Sequence, residues 1–164
     1  MQLHSLHDLL VHELRDLYSA EKQLTKALPK MAKAATSPKL QKGFEKHLVE
    51  TEGQIKRLDQ IFAELEVSSR GPKCAAMEGL VEEGSELIKT AGDDNVKDAA
   101  LIGAAQRVEH YEMAGYGTAR AFAELLGLTK VAKLLQASLD EEGATNKKLT
   151  ELAESEINVE ALTE

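Results

Sequence analysis

The sequence predicts an all-α protein, and three features support this fold class. Ala, Glu, Lys, Leu and Arg make up just over half of the 164 residues, a bias typical of long helices. Aromatic residues contribute only 4% and Trp is absent, so residue types that favour strands are scarce. Leucines recur three and four positions apart, which is the spacing of one helix face. These features predict long amphipathic helices in a single domain covering residues 1–164.

Helix-start signals define the first two helices. Ser5, with Asp8 three residues later, resembles an N-cap. Ser37 followed by Pro38 is a stronger signal, because a hydroxyl cap is followed by proline at the first helical position. Pro29 should kink or end the first helix near its last turns. The five predicted helices span residues of about 3–34, 38–66, 73–91, 94–126 and 129–154.

The remaining helices are bounded by glycines and by further candidate caps. Gly92 is expected to close the short third helix, and Asp93 or Asp94 to cap the long helix after it. That long helix should end just before Gly127, with Thr129 as the N-cap of the last helix. Each boundary follows from a residue type that favours a helix end.

The lengths of the connections predict the topology. Short joins around Thr36 and at Gly127-Leu128 require antiparallel neighbours. Residues 67–93 are long enough to run the length of the bundle. One such crossover is the connection of a ferritin-like four-helix bundle, and here it contains a short extra helix.

Carboxylates interrupt the apolar stripes of three of the long helices. Glu21 fills a gap in the leucine stripe of the first helix, Glu109 and Glu112 interrupt the fourth, and Glu142 interrupts the fifth. Residues three or four apart share a helix face, so these acids are expected to point into the bundle. Most other glutamates of the chain are expected to lie in solvent.

The second helix carries a less regular version of the same pattern. His47 lies on its apolar stripe and Glu50 lies at the edge. Glu21 and Glu50 are 29 residues apart, and Glu112 and Glu142 are 30 apart. Two hairpins would therefore place acids at matching heights around a pseudo-twofold axis. A hydrogen-bonded structural role for His47 is a competing interpretation.

Buried carboxylates must be protonated, paired or bound to metal. Several carboxylates and an imidazole near mid-bundle suit two divalent iron or manganese ions. Tyr18 and Tyr116 are candidate hydrogen-bond donors to such ligands, although core packing is the alternative for both. The predicted metal ligands are Glu21, His47, Glu50, Glu109, Glu112 and Glu142.

Composition also excludes several classes of function. The formal charge of −8 argues against a nucleic-acid surface. The lone Cys74 excludes internal disulfides, CxxC motifs and cysteine-rich zinc sites. No secretory signal opens the chain, and the longest apolar run, Ala99 to Ala105, is too short for a membrane span. A cytoplasmic location is the resulting expectation.

Nearly the whole chain resembles the YciE/YciF type of bacterial stress-associated protein, a ferritin-like family. The similarity lies in five segments, and the last of them is the most specific. They are Leu14–Glu21, Ala27–Met31, His47–Glu52, Cys74–Leu80, and Val108–Glu112 with the following Tyr116–Arg120.

The resemblance implies a ferritin-like fold, a homodimer and a role in stress responses. By similarity to rubrerythrin-like di-iron bundles, the five glutamates of the predicted set match carboxylate ligands. Those proteins carry Glu-x-x-His in the second and fourth bundle helices. Here the order is reversed in His47-x-x-Glu50, and the last helix reads Glu142-x-x-Thr145. At most one of the two imidazoles is therefore kept.

Two functions of different classes follow from these patterns. The first is a dinuclear iron or manganese protein that oxidises ferrous iron or reduces peroxide, with oxygen or peroxide as its small substrate. Catalytic residues beyond the metal ligands are not assigned. The alternative is a metal-free structural or interaction protein on the same scaffold. A cage-forming iron store is a third and weaker interpretation.

Overall fold

A computed structural model describes residues 4–162 of the chain. Within that range the chain is helical and contains no strand, which confirms the predicted all-α class. The long helices are α1 (Leu6–Ala34), α2 (Pro38–Glu64), α3 (Ala75–Lys89), α4 (Asp94–Leu125) and α5 (Thr129–Leu152). A π-helical turn (Ala153–Ile157) and a final turn, α6 (Asn158–Glu160), extend α5. No helix in the described range is both long enough and apolar enough to cross a bilayer.

Three of the predicted helix caps are present. The Ser5 hydroxyl accepts a hydrogen bond from the Asp8 amide, and Ser37 caps α2 with Pro38 in its first turn. Asp93, rather than Asp94, caps α4 by accepting hydrogen bonds from two amides of the first turn. These side chains satisfy donors that the helix itself leaves unpaired.

Other boundaries differ from the sequence prediction. The predicted start at residue 3 lies outside the described residues, and α1 continues through Pro29 to Ala34. The third helix ends at Lys89 rather than at about Ala91, because Thr90 already has an extended backbone. Leu128 occupies the N-cap position of α5, so Thr129 is the first helical residue rather than the cap.

The turn between α4 and α5 depends on a glycine, as predicted. Gly127 has a φ of +73°, in the left-handed region where a side chain is strained. Its amide donates to the Glu124 carbonyl, and the Leu128 amide donates to the Ala123 carbonyl. These bonds satisfy carbonyls at the end of α4 and reverse the chain toward α5.

The packing order of the helices gives the predicted ferritin-like topology. Within the described part of the chain, α1 packs on α2 and α4, and α5 packs on α2 and α4. Contacts between Asp16 and Tyr111 and between Thr36 and Asp98 show that α1 and α4 are antiparallel. The crossover therefore returns the chain along the bundle, and its helix α3 packs against α1 and α4.

A buried carboxylate joins the start of α4 to the loop between α1 and α2. Asp98 accepts hydrogen bonds from the Thr36 amide at 2.9 Å and the Thr36 hydroxyl at 2.8 Å. It also accepts one from the Ser37 amide at 2.7 Å. The two helical hairpins are thus connected by polar contacts at this end of the bundle.

The buried side chains form two apolar clusters separated along the helix axes. One contains Leu24 of α1 and Phe44 of α2, and the other contains Leu17 of α1 and Leu58 of α2. On α4 and α5 the boundary between the two clusters falls at the same height along the bundle. Between the two clusters lies a layer of polar side chains, which includes most of the predicted ligands.

Candidate metal centre

Four side chains of the polar layer converge at the middle of the bundle. His47 comes from α2, Glu109 and Glu112 from α4, and Glu142 from α5. Each offers one ligand atom, and these atoms all lie within 4.8 Å of one another. All four residues are buried, with at most 3% of their surface exposed. These four residues are called the carboxylate cluster below.

The imidazole of His47 lies between carboxylates of two other helices. Its Nδ1 atom is 2.9 Å from Oε1 of Glu109, and its Nε2 atom is 3.8 Å from Oε2 of Glu142. Gln54, two turns after His47 on α2, donates its amide to Oε1 of Glu142. The ring and the amide thereby hold carboxylates of α4 and α5 against α2.

The carboxylates of α4 lack conventional hydrogen-bond donors. Among the described residues, neither oxygen of Glu112 accepts a hydrogen bond from a nitrogen or hydroxyl donor. Oε2 of Glu109 is also without such a donor. Unpaired buried acceptors are costly, and for a carboxylate the cost is larger than for a neutral group. This layer therefore requires either protons or cations between its carboxylates.

The electrostatics of the cluster agree with that requirement. Burial raises the pKa of Glu109 to about 8, with Glu21 and Glu50 adding to the shift. Burial and the neighbouring carboxyls also raise the pKa values of Glu112 and Glu142 well above the ordinary range. In the absence of a cation, these groups hold protons near neutral pH.

Glu21 lies beside the cluster and is fully buried. The Tyr116 hydroxyl, a candidate donor to the ligands, donates a hydrogen bond to Oε1 of Glu21. Burial and, to a smaller extent, the neighbouring Glu142 raise the pKa of Glu21 to about 8. Oε2 of Glu21 has no nitrogen or hydroxyl donor in the described part of the chain.

Glu50, like Glu21, is a predicted ligand outside the cluster, but it is only partly buried. Its side chain is 20% exposed and lies 2.7 Å from Lys46, and it accepts a hydrogen bond from Thr145 at 3.2 Å. Position 50 is rotated by about 60° from His47 around α2, which directs Glu50 to the edge of the α2–α5 contact. The predicted equivalence of Glu50 and Glu142 about a pseudo-twofold axis is therefore not kept.

Tyr18 does not take the position predicted for a donor to the ligands. Its ring packs edge-on against Phe62, with centroids 5.6 Å apart. Its hydroxyl contacts Asp59 and Ser69, and burial with the Asp59 contact raises its pKa. Core packing, the alternative interpretation of this residue, is the one that the structure supports.

Sequence reasoning missed two polar residues of the layer on α2. Thr51 and Gln54 are both fully buried. They follow His47 by four and seven residues, the spacing that continues a helix face. The signal that could have identified them is a hydroxyl and an amide at positions where this stripe should carry apolar residues. Gln54 also donates a hydrogen bond to Glu141 at 3.2 Å, and Arg57 forms an ion pair with the same carboxylate at 2.5 Å.

The donor set and spacing of the cluster fit a transition-metal ion. Oxygen ligands with one imidazole are suited to iron and manganese. Metal–ligand bonds of about 2 Å place two ligand atoms of one ion at most about 4 Å apart. The ligand atoms of the cluster lie within 4.8 Å of one another, which is slightly wider. Small side-chain movements would close that difference. Oxygens of Glu109 and Glu112, which face the carboxyls of Glu142 and Glu21 rather than nitrogen or hydroxyl donors, are the atoms that such an ion would satisfy.

Comparisons with known proteins identify the family. Residues 5–162 match DUF892, a family described as a domain of unknown function. The chain is 51% identical to protein YciF of Escherichia coli K12 over 162 residues, which covers 98% of both chains. The resemblance predicted from the sequence motifs is confirmed.

Solved structures support the same relationship. The crystal structure of the E. coli stress protein YciF has a TM-score of 0.92, covering 95% of this chain and 99% of that one. YcfI of Rhodopseudomonas palustris is 47% identical with a TM-score of 0.88, covering 91% and 95%. A Xanthomonas campestris protein, 22% identical with a TM-score of 0.73 over 92% of each chain, shares the fold. The chain therefore belongs to the DUF892 family, together with YciF.

Proposed function

We propose that this protein binds divalent iron or manganese at the carboxylate cluster and acts in a stress response. The bound metal would supply redox chemistry for oxidising ferrous iron or reducing peroxide. A dinuclear site would recruit Glu21 and Glu50 in addition to the cluster. The homodimer, and oxygen or peroxide as the substrate, stay predictions.

One observation carries the proposal. Buried carboxylates of α4 and α5 meet the His47 imidazole, yet oxygens of Glu109 and Glu112 have no nitrogen or hydroxyl donor in the described residues. A structural polar network normally satisfies each of its members. A set of buried acceptors that point at one another is what a cation site requires.

The surrounding residues have separate roles in this proposal. Tyr116 orients Glu21 through its hydroxyl, and Gln54 orients Glu142 through its amide. His47 supplies the one nitrogen ligand, and its second ring nitrogen remains close to a carboxylate. The apolar clusters above and below exclude water, which strengthens each electrostatic interaction in the layer.

The direct test is metal titration of protein that has been stripped with a chelator. We expect Mn²⁺, or Fe²⁺ without oxygen, to bind with one or two ions per chain and to raise the melting temperature. Replacement of Glu112 by Gln keeps its size and removes its charge, and should weaken binding by more than about 100-fold. Diffraction at the metal absorption edge should give an anomalous peak beside Glu112.

Glu45→Gln is the matched control, because Glu45 is exposed on α2. It should bind metal as the wild type does. Less than a tenth of an ion per chain, together with no change in melting temperature, would refute the metal site. Equal affinity of the Glu112 and Glu45 variants would show that the metal binds elsewhere.

The second candidate is a metal-free structural or interaction protein. YcfI is itself provisionally described as a structural protein, and the raised carboxyl pKa values allow a protonated, uncharged layer. This function predicts that added Mn²⁺ leaves the melting temperature unchanged. The same titration therefore distinguishes the two candidates.

A further inference from the structure

A cavity of about 180 Å³ opens between α2 and α5, next to the carboxylate cluster. Its apolar walls are Leu40 and Phe44 from α2 with Leu149 and Leu152 from α5. Leu40, Phe44 and Leu149 are buried, yet the space between the helices is left unfilled. Lys39 of α2 forms an ion pair with Glu156, which follows α5. Leu40 and Leu152 therefore lie toward this end of the cavity.

Lys39 lines the cavity at that end, and the other end carries further charged groups beside the His47 ring. Lys46 and Glu50 line it from α2, and Thr145 and Lys148 line it from α5. Lys46 pairs with Glu50 at 2.7 Å. Within residues 4–162, Lys148 has no carboxylate at ion-pair distance. The nearby Lys46 ammonium lowers the pKa of Lys148, so two cations lie close together here and, among the described residues, only Lys46 has a carboxylate partner.

We infer that this cavity is a binding site for a small monocarboxylate with a hydrocarbon chain. The carboxylate would lie against Lys148 and Lys46, where it relieves the repulsion between two cations. The hydrocarbon would lie between Leu40, Phe44 and Leu149. Apolar walls with a few polar or charged groups are typical of small-molecule sites.

The volume limits the size of the ligand. Pockets for drug-sized ligands span about 300–1,000 Å³, and an apolar cavity of about 150 Å³ accommodates benzene. A chain of about six carbons is therefore the expected length. His47 and Glu50, two candidate metal ligands, also line the cavity, so the test uses protein without metal.

The test is an NMR titration of chelator-treated protein with hexanoate, hexan-1-ol and acetate. Hexanoate should bind with a millimolar or lower Kd and shift amide signals around Gly43 and Lys148. Hexan-1-ol lacks the charge and acetate lacks the chain, so each should bind at least tenfold more weakly. Added salt should weaken hexanoate binding, because the lysines are exposed.

Two variants with matched controls locate the site. A Cβ at Gly43 meets no atom within 4 Å, so Gly43→Leu should fold, occupy the cavity and abolish binding. Gly53 has the same open surroundings on α2 but does not line the cavity, so Gly53→Leu should bind normally. Lys148→Met should weaken hexanoate binding at least fivefold, and Lys147→Met should not.

Three results would overturn the inference. They are no hexanoate binding up to 10 mM, equal affinity for hexan-1-ol, or unchanged hexanoate binding in the Gly43 variant. Metal titration of the Gly43 variant separates this inference from the proposed function. If the wild type binds metal but not hexanoate, the proposed monocarboxylate site in the cavity is rejected and the proposed metal site is not.

Discussion

Replacing Glu109 by Gln should change how the stability of the metal-free protein depends on pH. Glu109 is fully buried, and its pKa rises from 4.5 to about 8 in the folded state. Because the folded protein binds the proton more tightly than the unfolded chain does, Glu109 adds most stability below pH 4.5. That contribution is lost as the pH rises through about 8.

The size of the effect follows from that shift. Relative to low pH, the raised pKa of Glu109 costs the folded protein about 1–2 kcal/mol at pH 5.5 and about 4–5 kcal/mol at pH 8.5. Glutamine is uncharged at both pH values and does not incur this cost. The variant should therefore gain about 3 kcal/mol relative to the wild type between pH 5.5 and pH 8.5.

The assay is urea unfolding followed by circular dichroism, with a chelator present, at both pH values. Glu45→Gln is the control, because an exposed carboxyl should give a profile parallel to that of the wild type. Parallel profiles for the Glu109 variant and the wild type would refute the reasoning. They would mean that the carboxyl is solvated or equally charged in both states.

Two further predictions concern the fold. Asp98→Ala should lower the free energy of unfolding by about 2–3 kcal/mol, because the Thr36 and Ser37 donors lose a charged acceptor. The control is Asp94→Ala, at the exposed start of α4, which should lower the free energy of unfolding by about 0.5 kcal/mol. Gly127→Ala should cost about 1–2 kcal/mol, because its φ of +73° strains a side chain. Urea unfolding measures both, and equal losses in the Asp98 and Asp94 variants would contradict the role of the buried carboxylate.

Periodicity predicted the buried glutamates but not the buried Asp98. Glu21, Glu109, Glu112 and Glu142 each interrupt an apolar stripe, and all four are buried. A charged residue where the helix period requires an apolar one is a strong signal, since burial without a partner is costly. Their role as metal ligands stays a prediction.

Positions at the edge of a stripe could not be resolved in the same way. Glu50 and Tyr18 lie beside inward positions, and whether such residues face the core depends on the neighbouring helix. Gln54 was missed because an uncharged amide on a stripe gives a weaker signal than a carboxylate. The boundary at Leu128 was also missed, since that turn is determined by backbone bonds to α4 rather than by a capping side chain.

The long crossover has a consequence for how the molecule folds. Each hairpin, α1–α2 and α4–α5, closes through a short loop and can form from local contacts, which is rapid. Joining them requires closure across the crossover, which costs more chain entropy. His47 belongs to the first hairpin, whereas Glu109 and Glu142 belong to the second. The central polar layer is therefore complete only when the two hairpins have packed together.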